Sequence, residues 1–282
     1  MTKNEPSETV KRVSTGVTLA ALLFLFWGLR GWPARIALML VSALMIWEMY
    51  DAFAHKNWRP VRPVGLAFAA ALLPTYFFYG VSAFPLVLAL FFMAGLGAVI
   101  LKGTADFESA VATVFPLLYP GMFMSLMYPL LDLEPRYLGA TAFGLSFLIP
   151  VANDLAAYLV GVRYGKRRLC PELSPKKSVE GAVAGMAASL LVALLLPLAM
   201  APITGVPLSR FPPLWHFACV GFLGGIASPL GDLTASLVKR HCDIKDFGHL
   251  LPGHGGVMDR LDSITFTAAV VYAYFAFFLK TI

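Results

Sequence analysis

Residues 181–203 read GAVAGMAASLLVALLLPLAMAPI, 23 positions without one charged side chain. As an α-helix rising about 1.5 Å per residue, such a run reaches roughly 34 Å, enough to cross a hydrocarbon layer about 30 Å thick. It has no polar face to turn toward water and none of the alternation expected of a barrel strand. In lipid every backbone polar group must be paired within its own segment, so a helix is the expected element. Working outward, eight further apolar runs fall near 15–29, 33–50, 64–80, 83–101, 110–131, 136–160, 213–231 and 264–280. The chain therefore reads as an all-α, polytopic integral membrane protein of about nine transmembrane helices. The first run, Val17 to Trp27, resembles the apolar core of a signal peptide. No small-residue cleavage site follows it before Arg35, so a retained helical hairpin is expected.

Composition agrees. Of 282 residues, 59% are hydrophobic and 13% charged, with a mean hydropathy of +0.74, whereas a soluble domain carries about 25% charged residues. Too few polar side chains are present to cover a water-facing globule, which excludes a soluble fold, a disordered chain and a coiled coil. Cys170, Cys219 and Cys242 lie far apart with no CxxC spacing, so neither a zinc site nor a disulfide framework is suggested. The net charge of +6 reports topology and lipid-surface contact before it reports nucleic acid, which is not expected as a partner.

With nine spans, 17 of the 22 Lys and Arg residues fall on one side of the membrane and five (Arg30, Arg35, Arg136, Arg210 and Lys280) on the other. Cytoplasmic loops hold the excess of basic residues, so the N-terminus and both long basic loops are expected in the cytoplasm. For a bacterial chain that means the inner, cytoplasmic membrane. Prolines inside the runs, such as Pro74, Pro116, Pro120 and Pro129, read as kinks in packed helices. Residues 1–135 are poor in polar groups and read as a helical scaffold for lipid access or oligomer contact. Residues 136–282 carry both polar loops and read as the catalytic half.

Five of the 16 acidic residues and three of the five histidines lie between Asp232 and Asp262. Asp232, Ser236 and Arg240 stand at i, i+4 and i+8, with Lys239 at i+7, so one helix face carries a carboxylate, a hydroxyl and two cations. Asp259 and Asp262 follow at i, i+3 where the last span begins, a place where capping also favours acids. Two sets of carboxylates across one loop suit a hard cation shared with substrate phosphates. The Gly255-Gly256 pair would let backbone N–H groups approach a phosphate. A second polar island holds Asn153-Asp154 inside span six, then Gly165-Lys166, then Ser174-Pro175-Lys176-Lys177-Ser178-Val179-Glu180-Gly181. An acid within a span is expensive, which marks Asp154 as functional. Lys176 and Lys177, between a proline and a new helix, are placed to bind phosphate.

The stretch Ser236-Leu-Val-Lys239-Arg240, Lys245-Asp246-Phe-Gly248, Leu251-Pro252-Gly253-His254-Gly255-Gly256-Val-Met-Asp259-Arg260-Leu-Asp262 resembles the signature of the phosphatidate cytidylyltransferases, the CDP-diacylglycerol synthases. It does so continuously over 27 residues with both internal spacings kept. The Asp154 and Ser-Pro-Lys-Lys-Ser segments are also similar to that family; residues 1–135 match it in hydropathy and in a Trp47-Glu48 pair. Three places depart from the family pattern. Ala235 stands where an acid commonly precedes the serine, His241 where an acid follows Lys-Arg, and Leu155-Ala156-Ala157 where Thr-Gly-Ala is usual. These departures bear on charge balance, metal number and substrate preference.

The resemblance implies that CTP and phosphatidic acid give CDP-diacylglycerol and pyrophosphate, the lipid phosphate attacking the α-phosphorus of CTP. It implies Mg²⁺, with room for a second cation, held by Asp232 and Asp259, with Asp246 and Asp262 as further ligands or as groups supporting the ligands from behind. Lys239, Arg240, Lys245 and Arg260 would bind the phosphates. Ser236 would donate a hydrogen bond, and His254 would contact phosphate or hold structure. His216 reads as a packed helix residue. Membrane lipids are partners by construction, and a homodimer is compatible with the chain. Two other readings stay open: a CTP-dependent lipid kinase of the dolichol or phytol type, which would release CDP, and a transporter using Asp154 and the later aspartates for coupling ions. A CDP-alcohol phosphotransferase is disfavoured because its Asp-Gly-x2-Ala-Arg motif is missing.

Overall fold

The computed structural model describes residues 31–103, 106–251 and 255–280. The expected first span at 15–29 and His254 lie outside the described residues. The helices are α1 (Trp32–His55), α2 (Arg62–Tyr79), α3 (Phe84–Leu101), α4 (Phe107–Pro116), α5 (Met127–Asp132), α6 (Arg136–Tyr164), α7 (Val179–Thr204), α8 (Leu214–His241) and α9 (Met258–Phe277). Each of the other eight expected spans meets helical structure. Among the described residues, six segments are long and apolar enough to cross a membrane: Trp32–His55, Val81–Leu101, Phe107–Asp132, Arg136–Tyr164, Val179–Thr204 and Leu214–His241. Helix α2, with Arg62, Pro74 and two tyrosines, and α9, which opens on Asp259, Arg260 and Asp262, are not among those six.

Phe107–Asp132 is broken rather than continuous. Asp106 caps it by accepting the Ser109 N–H at 2.6 Å. Pro116 and Pro120 then interrupt the ladder, and Tyr119 leaves helical geometry between them. The only strands among the described residues form a small hairpin, β1 (Arg168–Cys170) and β2 (Ser174–Ser178), antiparallel, between α6 and α7.

The two ends of the bundle differ in chemistry. At one end Arg35 pairs with Asp132 and the Tyr137 hydroxyl donates to the Arg210 carbonyl at 2.9 Å. At the other, Lys56 pairs with Asp243, the Arg59 N–H donates to Ser109 at 2.8 Å, and the Trp58 and His241 rings lie 5.2 Å apart. The hairpin and the end of α8 meet there too, through Arg240 Nε, which donates to the Leu173 carbonyl at 3.4 Å. The loops that the charge count put on the basic side are thus neighbours.

Pro229 interrupts α8, and lacking an N–H it leaves the Gly225 carbonyl without its helical donor. Buried Asn153 on α6 supplies one: its Nδ2 donates to Gly225 O at 3.0 Å and to Ser189 Oγ on α7 at 3.0 Å. One amide therefore ties three helices beside Asp154. Asn153→Ala should leave that carbonyl buried and unpaired, at a cost of roughly 1–3 kcal/mol. A melting midpoint in detergent several degrees below wild type is expected; an unchanged midpoint would contradict the assignment.

Two apolar clusters fill the interior. One joins α1–α5 to Ala235 and Val238 of α8, Phe247 and Val257 of the following loop, and Ile264 and Ala268 of α9. The other lies among α5–α9 around Leu145, Ile149, Phe217 and Phe275. The N-terminal helices therefore pack directly beneath the signature loop.

Candidate active site

Helix α8 continues past its apolar stretch to His241, so Asp232, Ser236, Lys239 and Arg240 occupy its last turns. Helix α9 runs back along the same face. They can approach because residue 231 is glycine: a Cβ there would stand 2.5 Å from the Asp262 carbonyl. The result is a ladder of facing groups. At one rung Asp262, 6% exposed, lies within electrostatic reach of Asp232 and Asp154. About 10 Å further along α8, seven residues on, Lys239 Nζ donates to Asp259 Oδ1 at 2.7 Å. Ser236 lies between and donates to Asp232 Oδ1 at 3.4 Å. The Asp262 carboxylate also accepts the Ser263 N–H at 2.7 Å. From the broken helix, the Tyr119 hydroxyl donates to Gly231 O at 3.1 Å, and its ring stands edge-on to Phe266 at 5.5 Å.

The loop between α8 and α9 folds around carboxylates. Its first residues are anchored by Lys56, whose hydrogen bond holds the Asp243 carboxyl below the usual range. Burial pushes the Cys242 thiol up to about 11, which suits an unreactive core residue. Asp259 Oδ2 accepts the Phe247 N–H at 2.8 Å and the Gly256 N–H at 3.0 Å, closing the loop onto α9. Gly255, at φ +81, makes the turn beside Asp246, and its carbonyl accepts the Leu251 N–H at 3.0 Å.

One residue here was not singled out from the sequence. Glu48 of α1 accepts the Val257 N–H at 2.9 Å and the Met258 N–H at 2.8 Å. With Asp259 it satisfies the amides that open α9. The Gly256 position is glycine because a Cβ would meet Glu48 Oε2 at 2.5 Å. The expected phosphate-approaching pair Gly255-Gly256 thus has three protein carboxylates, Glu48, Asp246 and Asp259, against it. The only sequence signal for Glu48 was an acid inside an apolar span, in the Trp47-Glu48 pair.

The second island closes the site from the side. Ser178 caps α7 by accepting the Gly181 N–H at 3.1 Å, and Glu180 accepts the Lys166 and Arg167 N–H groups, at 3.0 Å for Lys166. These bonds set the hairpin so that Lys177 pairs with Asp232. Asp154, accessible on α6, lies within electrostatic reach of Lys177, Asp232 and Arg260. The structure therefore assembles Asp154, Lys177, Asp232, Ser236, Lys239, Asp259, Arg260 and Asp262 from four elements, with Asp246 at the loop turn. Lys176, Arg240, Lys245 and His249 are exposed on the same end. His216 packs as expected, on Trp215 and at 3.0 Å from the Tyr274 hydroxyl.

Among the described residues no group of three His, Cys, Asp or Glu side chains is arranged to enclose a metal ion. Magnesium keeps several waters and takes only one or two carboxylates together with substrate phosphates. Carboxylates on facing helices, two of them (Asp232 and Asp259) paired with lysines rather than shut in an all-protein cage, fit that demand.

Compared with known proteins, the chain matches the model of the cytidylyltransferase family over residues 10–278. It is 31% identical over 274 residues to the phosphatidate cytidylyltransferase of Bacillus subtilis, covering 95% of this chain and 98% of that one. It is 32% identical over 231 residues to the chloroplastic phosphatidate cytidylyltransferase 4 of Arabidopsis thaliana, covering 74% of this chain and 57% of that one. It is also 37% identical over 168 residues to the phosphatidate cytidylyltransferase of Brucella melitensis, covering 58% and 57%.

Proposed function

The chain belongs to the cytidylyltransferase family, and on that premise we propose that it condenses CTP with phosphatidic acid at this site to give CDP-diacylglycerol and pyrophosphate. It is a nucleotidyltransferase of phospholipid synthesis. An oxygen of the lipid phosphate forms the new bond to the α-phosphorus of CTP, and the bond from that phosphorus to the β-phosphate oxygen breaks. The lipid brings its own nucleophile, so no serine or cysteine intermediate is needed; Ser236 donates a hydrogen bond. Catalysis rests on positioning and charge neutralisation.

The observation that carries this reading is the pair of ion pairs, Lys177 with Asp232 and Lys239 with Asp259. They place two cations and two acids side by side, the complement of a polyphosphate and its counter-cation. Asp232 and Asp259, backed by Asp246 and Asp262, would hold Mg²⁺, with room for a second cation. A cation held there would supply charge neutralisation for the departing pyrophosphate. Lys177, Lys239 and Arg260, with the exposed Lys176, Arg240 and Lys245, bind the phosphates of CTP and lipid. Asp154 sets the lateral limit of the phosphate site through its charge beside Lys177 and Arg260. Because Glu48 and Asp259 take the amides that open α9, the phosphates rely on side-chain cations rather than on that helix end.

The basic end that carries the site faces the cytoplasm, where CTP is, and the acyl chains remain in the bilayer. The test is to incubate the purified protein in detergent with phosphatidic acid and CTP, with Mg²⁺ or with a chelator. A lipid of the mass of CDP-diacylglycerol, formed only with the cation and accompanied by pyrophosphate, is expected. Release of CDP with a newly phosphorylated lipid would instead favour a lipid kinase and overturn the reading.

A further inference from the structure

We propose that Glu48 is the positioning residue of the active-site loop, a clamp through which the N-terminal half of the chain aligns Asp259 and Lys239. Glu48 is 7% exposed as a residue and comes from the second half of α1, more than 200 residues before the loop it holds. Both oxygens are used, one on each of two successive amides, Val257 and Met258, so the carboxylate fixes where and at what angle α9 begins. Loop residues enclose it: a Cβ at Gly248 would stand 2.7 Å from Oε1, and one at Gly256 2.5 Å from Oε2. Asp259 lies one residue beyond the clamped pair and carries three further bonds, to Lys239, Phe247 and Gly256. A shift at Val257-Met258 is therefore passed directly to the Lys239–Asp259 pair. Glu48 touches neither phosphate nor nucleotide; it acts through Asp259.

This inference rests on the proposed nucleotidyl transfer, and its test separates the two. Glu48→Gln keeps the size of the side chain but replaces one acceptor oxygen with an NH₂ group facing an N–H. Gly248→Ala displaces the same carboxylate from the loop side while leaving α1 intact, and it decides the matter if Glu48→Gln does not accumulate folded. For both, kcat and KM for CTP are measured alongside hydrogen exchange of the 257–258 amides in the full-length protein. Misplacement by about 1 Å costs on the order of 100-fold in rate, so kcat should fall about that much with KM for CTP within about threefold, and exchange at 257–258 should accelerate. Wild-type kcat in a folded variant, a loss confined to KM, or unchanged exchange overturns the clamp. Exchange that accelerates in a protein whose wild type makes no CDP-lipid keeps the clamp and sinks the functional reading.

Discussion

Asp232→Asn should lower turnover by about 10³-fold or more while leaving the melting midpoint near that of wild type. The acid stands where the hairpin, α6 and α9 converge, and its partners are Lys177 and Ser236. Asparagine preserves the shape and one acceptor oxygen but removes the charge that a phosphate-bridging cation requires. Losing such a ligand costs several kcal/mol of transition-state stabilisation, and about 4 kcal/mol corresponds to roughly 10³ in rate. The Lys177–Asp232 pair is about one quarter exposed on either side. A part-exposed pair of this kind contributes at most about 1 kcal/mol to folding, so function and stability should separate. Turnover in detergent and a thermal melt on the same preparation measure both; near wild-type turnover would remove Asp232 from the site.

Asp259→Asn should lose activity on the same scale and lose stability as well. Its side chain is 2% exposed, its partner Lys239 15%, and its second oxygen gathers two loop amides. Without the charge, a largely buried lysine is left uncompensated, which typically costs about 3–5 kcal/mol. The melting midpoint should fall clearly below that of Asp232→Asn, and loop 242–257 should become protease-sensitive. Equal midpoints for the two variants would contradict the ladder in which Asp259 closes the loop and Asp232 does not.

What could be read in advance follows from the range of each signal. Spans and the basic end are local properties of composition, and each expected span on the described residues meets a helix. The Asp232, Ser236, Lys239 face is also local, because helical periodicity alone brings those residues into line. The break around Tyr119 was legible only as prolines within an expected run at 110–131. The hairpin at 168–178 was not legible, since two short strands leave no periodicity long enough to detect. Contacts between distant helices left the least trace. Asn153 serves a carbonyl freed by a proline 76 positions later, and Glu48 serves amides on the far side of the chain. Gly255 and Gly256 show how a correct landmark can carry a different physical role, since the space at residue 256 is taken by a carboxylate of α1.

The central claim is that the lipid phosphate attacks the α-phosphorus of CTP. Parallel incubations with CTP labelled at the α- or the γ-phosphate, in the presence of phosphatidic acid and Mg²⁺, test it most directly. α-Label in the lipid phase and γ-label in aqueous pyrophosphate are expected, with both transfers lost in Asp232→Asn. Label from the γ-phosphate in the lipid, with α-label left as soluble CDP, would contradict it.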